Sequence, residues 1–586
     1  MSRATEPKPK TQAPQKANMF QLLKPYSGVI GLLILLSLLS NGINLIIPKI
    51  ISRGIDAYSG NHLDFRMIAT EFALAALFIF IFTYLQSIVQ TLASERVARD
   101  LREKLSAKIS RQSFAYVGEV TPAKLLTNLT SDVDSIKSFV SQAIVSIISS
   151  IFLITGSVIL LLTIDWKLAL AVLVIIPVIA GVFYFVLMKV RPLFRKSREV
   201  IDWRNKVISE SILGASLIRV LNSQTPEYEK FMAANTEARD LGLSILRLFA
   251  TLIPVIVFVA NMAMLTVLAL GGRFVIEGSM TLGDYAAFNS YIALLIFPLI
   301  IIGFMSNVIA QANASYQRVY RVLATEDPVE TGTLTDKIKG DISLEQVTVT
   351  YDGRPALKDV SLQVKAGSRT AIIGPTAAGK TQLFYLLTGL IAPETGSVLF
   401  DGKDIGSYQK ESFHSQIGFV FQDSIIFNMS LRENIAFNKS VTDEAMEKAL
   451  RTAALDEFLA SLPEGLDTVI SERGNSLSGG QKQRVMLARA LAINPTMLLL
   501  DDFTARVDSQ TEKQILENVA ENYPGITLLS ITQKIEPIEG YDQIILMMQG
   551  EVIASGTHKE LMRGCPEYNQ IFQSQRSTSN YELQSL

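Results

Sequence analysis

The chain has 586 residues, a formal net charge of −1 and 49% hydrophobic residues. It is too long for one ordinary domain and has no basic surplus that would point to nucleic acid. Its single cysteine, Cys565, excludes an internal disulfide and a Cys-rich metal site.

Residues 1–18 are rich in Lys, Pro, Gln and Thr and lack the apolar core of a signal peptide. They read as a disordered cytoplasmic tail. A bilayer core of about 30 Å needs about 20 apolar residues in a helix. Six stretches qualify: 28–47, 67–88, 139–164, 168–190, 250–270 and 285–309. Runs such as GVIGLLILLSLL are apolar on every helical face, unlike the amphipathic helices of a soluble core. The connections around Asn61, Asp165 and Glu277 are short, whereas 93–138 and 191–249 are long and charged. Lys and Arg beside the spans, including Arg96, Arg99, Arg102, Arg191, Arg195 and Lys196, place the long connections and both termini in the cytoplasm.

The segment SERVARDLREKLSAKISRQ has helical periodicity and opposite charges three or four residues apart. The spacing predicts spans that continue as helices into the cytoplasm and turn near 114–122 and 212–215. Asn41, Asn44, Gln86, Gln90 and Asn261 are the main polar residues inside the spans. Hydrogen bonds between helices are their expected use, ahead of substrate contact. The fold expected is an all-α six-helix membrane domain over 19–325, a linker over 326–340, an α/β P-loop nucleotide-binding domain over 341–572 and a C-terminal tail over 573–586.

The second half carries the chemistry. Gly374, Gly379, Lys380 and Thr381 fit G-x-x-x-x-G-K-[ST], between an apolar strand at 370–373 and a helical stretch. The loop residues Gly374, Pro375, Thr376, Ala377, Ala378 and Gly379, with Gln382, would cradle the phosphates, every one but Pro375 through a backbone N–H, with Lys380 on the β/γ-phosphates and Thr381 on Mg²⁺. The apolar run 497–500 ends in Asp501, a Walker-B arrangement that supports the same Mg²⁺. Between the two lies LSGGQ, which contains Ser478, Gly479, Gly480 and Gln481.

With these motifs the chain resembles the ATP-binding-cassette (ABC) exporter half-transporters over almost its whole length. The resemblance implies further roles. Tyr351 would stack on adenine, and Gln422 would touch Mg²⁺ and sense the membrane domain. Residues 472–474, in ISERG, would contact membrane-domain loops. TLGDYAAF and GTHKEL also match, and the two cytoplasmic turns would be coupling helices. ATP and Mg²⁺ are the implied cofactors, the lipid bilayer the setting, and a small hydrophobic or amphipathic compound the substrate. A bacterial inner membrane is the expected location.

Six positions depart from the family pattern. The general-base glutamate after the Walker-B aspartate is Asp502, and the switch histidine is Gln533. The D-loop S-A-L-D reads Ala505, Arg506, Val507 and Asp508, and Ala377 replaces a third glycine in the phosphate loop. A shorter carboxylate withdraws from the attacking water, and glutamine cannot carry positive charge. The binding residues and the signature are intact. The pattern resembles the degenerate-site subunit of heterodimeric bacterial multidrug-type exporters. It implies a partner half-transporter with Glu and His in place. A homodimeric exporter, an importer on the same fold, an ATP-gated channel and a regulatory subunit remain alternatives at this point.

Overall fold

A computed structural model describes residues 19–584, except 329–330, 352, 439, 472–473 and 475. The expected tail over 1–18, and Glu472 and Arg473 of the ISERG segment, lie outside the described residues. The chain divides into two compact units. One takes residues up to Arg111 together with Val120–Glu326, and the other takes Gln112–Glu119 and the chain from Asp327 onward.

In the first unit, six helices among the described residues are long and apolar enough to cross a membrane. They are Lys24–Ser59, Phe65–Arg111, Pro122–Ile164, Trp166–Leu213, Gln224–Ile276 and Leu282–Ala324. Each holds one of the expected apolar stretches. The 47 residues of Phe65–Arg111 extend about 70 Å at 1.5 Å per residue, more than twice a hydrocarbon core of about 30 Å. The charged parts of the long helices therefore stand outside the hydrocarbon, as the charge pattern predicts.

The first long connection turns through a short helix, Phe114–Val120. Of this helix, the residues up to Glu119 group with the second unit and Val120 with the first. The second turn is longer than the expected 212–215. Gly214 ends one helix, Ala215–Val220 forms another, and the next begins only at Gln224.

Polar side chains tie the spans together. The hydroxyls of Ser37 and Ser149 pair, Ser40 and Thr83 meet at 3.0 Å, and Gln90 donates to the Ser141 carbonyl. Gln90 therefore bonds between helices as expected. Asn41 instead bonds back to the Ser37 carbonyl of its own helix at 2.8 Å, and Asn261 is exposed. The buried Tyr291 hydroxyl donates to the Leu45 carbonyl at 2.9 Å.

Two tertiary contacts stand out. The Asp56 carboxylate accepts from the Thr281 hydroxyl at 2.9 Å and from the Gly283 N–H at 2.7 Å. This explains the glycine of TLGD, because a Cβ on Gly283 would lie 2.2 Å from the Ser52 carbonyl oxygen. Elsewhere, a π-helical turn at Asn128–Asp132 turns Asp132 inward. Its carboxylate, 2% exposed, accepts two Arg318 N–H bonds at 2.9 and 2.5 Å.

The second unit has two sheets. An antiparallel one runs β2-β1-β4-β5, from β1 (Ile342–Tyr351), β2 (Arg354–Val364), β4 (Thr395–Phe400) and β5 (Lys403–Asp404). The other runs β10-β9-β3-β8-β7-β6, from β3 (Arg369–Ile373), β6 (Ile417–Val420), β7 (Met497–Asp501), β8 (Thr527–Ile531), β9 (Gln543–Met548) and β10 (Glu551–Gly556). Its members pair in parallel except for the edge strand β10. Buried on both faces, β7 and β8 read as unbroken apolar or small-residue runs, not alternating ones. The last helix, Pro566–Gln584, runs through most of the segment expected as a C-terminal tail.

Candidate nucleotide site

Parallel strands deliver ligand-binding loops at their carboxyl ends. Here β3, β8 and β7 are neighbours, so the segments that follow them converge. These are the phosphate loop, the Gln533 segment and Asp501 with Asp502.

The phosphate loop depends on backbone shape. Gly374 has φ +150°, and a Cβ there would lie 2.0 Å from the Met547 carbonyl oxygen. Gly379 has φ +94°, and its Cβ would lie 2.6 Å from the Ala356 carbonyl oxygen. Ala377 also has a left-handed φ, +64°. An alanine there carries about 1–2 kcal/mol of backbone strain, which is the physical content of its departure from glycine.

Lys380 opens the helix Lys380–Leu387, and its ammonium donates to the carbonyls of Gly374 at 2.7 Å and Pro375 at 2.9 Å. Burial pushes its pKa down, while Asp502 and Asp501 pull it back up. Asp501 is 2% exposed, and its Oδ2 has no hydrogen-bond partner among the described residues. Burial pushes its pKa up to about 6, against the opposing effects of the Thr381 hydroxyl and Lys380. A buried, unsatisfied carboxylate oxygen is costly unless a cation meets it. Asp501, Thr381 and Gln422 form an all-oxygen donor set of the kind that suits Mg²⁺, so these residues fit the ion.

One cavity of about 650 Å³ gathers Thr376 to Gln382, Gln422, Asp501, Asp502 and Gln533. Asp502 has φ +48°, and its N–H donates to the Ile531 carbonyl at 3.0 Å. Tyr351 does not line the cavity. It is 43% exposed, and its hydroxyl donates to Gln382 Oε1 at 2.8 Å. The cavity also takes in Lys358 and Gln549, which the sequence reading missed because neither belongs to a spaced motif.

The signature residues do not enter this cavity. Ser478, Gly479, Gly480 and Gln481 line a separate one of about 460 Å³ with Arg484, Arg506, Val507, Asp508 and Thr511. Ser478 and Gln481 form a reciprocal capping box at the start of the helix Gly479–Leu491. Gly479 accommodates Arg506, whose Cδ would lie 2.9 Å from an added Cβ.

Residues 30–299 match the family described as ABC transporter transmembrane region, and 357–505 match that described as ABC transporter. The Bacillus subtilis (strain 168) protein YfiB, described as an uncharacterized ABC transporter ATP-binding protein, is 33% identical over 569 residues. That alignment covers 96% of this chain and 98% of YfiB. The chain belongs to the ABC transporters.

Other relatives of the transporter carry more specific descriptions. A probable multidrug resistance ABC transporter ATP-binding/permease protein of Bacillus subtilis (strain 168), YheI, is 29% identical, covering 93% of this chain and 94% of its own. An ATP-dependent lipid A-core flippase of Syntrophus aciditrophicus (strain SB) is 29% identical, covering 84% and 83% respectively. The solved structure of a bacterial Atm1-family ABC exporter with ATP bound shares the fold of the transporter. It has a TM-score of 0.79 at 24% identity, covering 95% of this chain and 99% of that one. In the transporter, the two departures that bear on hydrolysis, Asp502 and Gln533, line the cavity that holds Lys380, Thr381 and Asp501, together with Ala377.

Proposed function

We propose that this transporter is one half of an ATP-driven exporter of amphipathic or hydrophobic compounds, and that its own Walker face is the slow ATP site of a two-chain assembly. The observation that carries this reading is the composition of one cavity. The residues for binding, Lys380, Thr381 and Asp501, are all present, while the two positions for hydrolysis hold Asp502 and Gln533. Mg²⁺, held by Thr381, Gln422 and Asp501, would offset phosphate charge. Lys380 and the loop N–H groups bind the triphosphate, Tyr351 stacks on adenine, and Gln533 meets the γ-phosphate through a neutral amide.

The signature residues occupy a different cavity, which suits a role at the partner's nucleotide. The partner is a second half-transporter with Glu and His at the two positions, and that composite site supplies most of the turnover. Support for a partner also comes from the second turn of the membrane domain, where Leu213 and Val220 are 84% and 82% exposed. Large apolar side chains left uncovered together mark interaction surfaces. The relatives named for multidrug resistance and lipid flipping support an apolar cargo. We place the assembly in a bacterial plasma membrane with both termini in the cytoplasm.

The test compares two substitutions in the purified assembly. Ser478→Arg, which obstructs the signature face, should abolish most ATPase and transport. Asp502→Asn should cost little. The reverse ranking contradicts the proposal.

A further inference from the structure

The last helix, Pro566–Gln584, carries none of the motifs above, yet one of its residues grips the segment that bears Gln533. Gln575 Nε2 donates to the Gln533 backbone carbonyl at 2.6 Å. Gln575 Oε1 accepts from the Ile535 backbone N–H at 3.0 Å. A single amide thus satisfies an acceptor and a donor two residues apart, as a neighbouring strand would. The rest of this segment is anchored separately. The Thr532 N–H donates to the Ile372 carbonyl at 3.2 Å, the Lys534 N–H to Thr532 Oγ1 at 3.1 Å, and Ile535 is buried. The helix has its own attachment through buried Tyr568, whose hydroxyl meets His558 Nδ1 at 2.7 Å. Changing Gln575 therefore leaves the helix docked and releases only its hold on the loop.

We infer that Gln575 is a positioning residue for Gln533: it fixes the backbone from which the Gln533 amide enters the cavity, and so sets how strongly this site prefers a nucleoside triphosphate to a diphosphate. This rests on the proposed role of Gln533 at the γ-phosphate, the group by which ATP and ADP differ. Glutamine suits the task because it both donates and accepts. Leucine keeps the size and loses both bonds. Glutamate keeps the acceptor for Ile535 but turns a second acceptor toward the Gln533 carbonyl.

The experiment measures binding of Mg-AMP-PNP, a non-hydrolysable triphosphate, and of Mg-ADP to the full chain in lipid nanodiscs. The proteins are wild type, Gln533→Ala, Gln575→Leu, Gln575→Glu and the double variant Gln533→Ala/Gln575→Leu, each checked for an unchanged melting profile. Both Gln575 variants should weaken AMP-PNP about three- to tenfold, the scale of one or two hydrogen bonds, and change ADP by less than about twofold. In the Gln533→Ala background, Gln575→Leu should have no further effect, because the side chain it positions is gone. Three results overturn the inference. If Gln533→Ala lowers the triphosphate preference and neither Gln575 variant does, positioning fails while the reading of Gln533 stands. If Gln575→Leu keeps its full effect without the Gln533 side chain, its role is merely structural. If Gln533→Ala leaves the preference unchanged, the reading of Gln533 fails and takes the inference with it.

Discussion

Asp502→Glu combined with Gln533→His should convert a slow site into a fast one. A backbone shift at residue 502 that brought its carboxylate forward would stretch the hydrogen bond from its N–H to the Ile531 carbonyl, 3.0 Å long, at a cost of about 1 kcal/mol. A longer side chain closes the gap without breaking that bond. One added methylene advances the carboxylate by about 1.5 Å, and a misplacement near 1 Å can cost about 10²-fold in rate. A rise of about 10- to 100-fold is therefore expected in the slow phase of single-turnover hydrolysis, read by release of γ-labelled phosphate from the assembly. Stability moves the other way. Residue 502 has φ +48°, a region that tolerates Asp better than Glu, so the variant should lose about 1 kcal/mol. If the slow phase changes by less than about twofold while nucleotide still binds, these two positions do not limit hydrolysis, and the reasoning fails.

Two further predictions concern the membrane domain. Gly283→Ala places a Cβ 2.2 Å from the Ser52 carbonyl and 2.5 Å from the Asp56 carboxylate. It should destabilise the domain by about 3 kcal/mol, seen as a lower melting midpoint in detergent, whereas a Gly242→Ala control, with nothing near its Cβ, should be neutral or better. Arg318→Ala strands the buried Asp132 carboxylate and should cost about 3 kcal/mol. Adding Asp132→Asn should recover part of that loss, and failure to recover any would show that the cost lies elsewhere.

The sequence and the structure agree where one physical rule dominates. Apolar runs must become helices in a bilayer, so the six spans and their charged extensions were legible from hydropathy and Lys/Arg placement alone. The phosphate loop was legible because Gly374 and Gly379 sit where any side chain would strike a backbone carbonyl. What stayed hidden depends on pairings between distant residues. Asp56 meets Gly283, Asp132 meets Arg318, and Gln575 meets Gln533, and neither periodicity nor motif spacing encodes such partners. Gln575 was hidden twice over, since the polar composition beyond 572 reads as a tail although the chain there is helical. TLGD was readable as a motif, but its reason, the Asp56 carboxylate, lies on another helix. Tyr351 was placed by its motif position alone, and the structure adds that it is exposed and bonds Gln382, a residue that lines the cavity.

We propose that this chain works with a different partner that hydrolyses ATP for both. The most direct test is purification of the tagged chain from its native membrane, with quantitative mass spectrometry of what co-elutes. The prediction is a second ABC half-transporter in equal amount, carrying Glu after its Walker-B aspartate and His at its switch position. Recovery of this chain alone, as a dimer that hydrolyses ATP briskly with Asp502 and Gln533 in both sites, would contradict it.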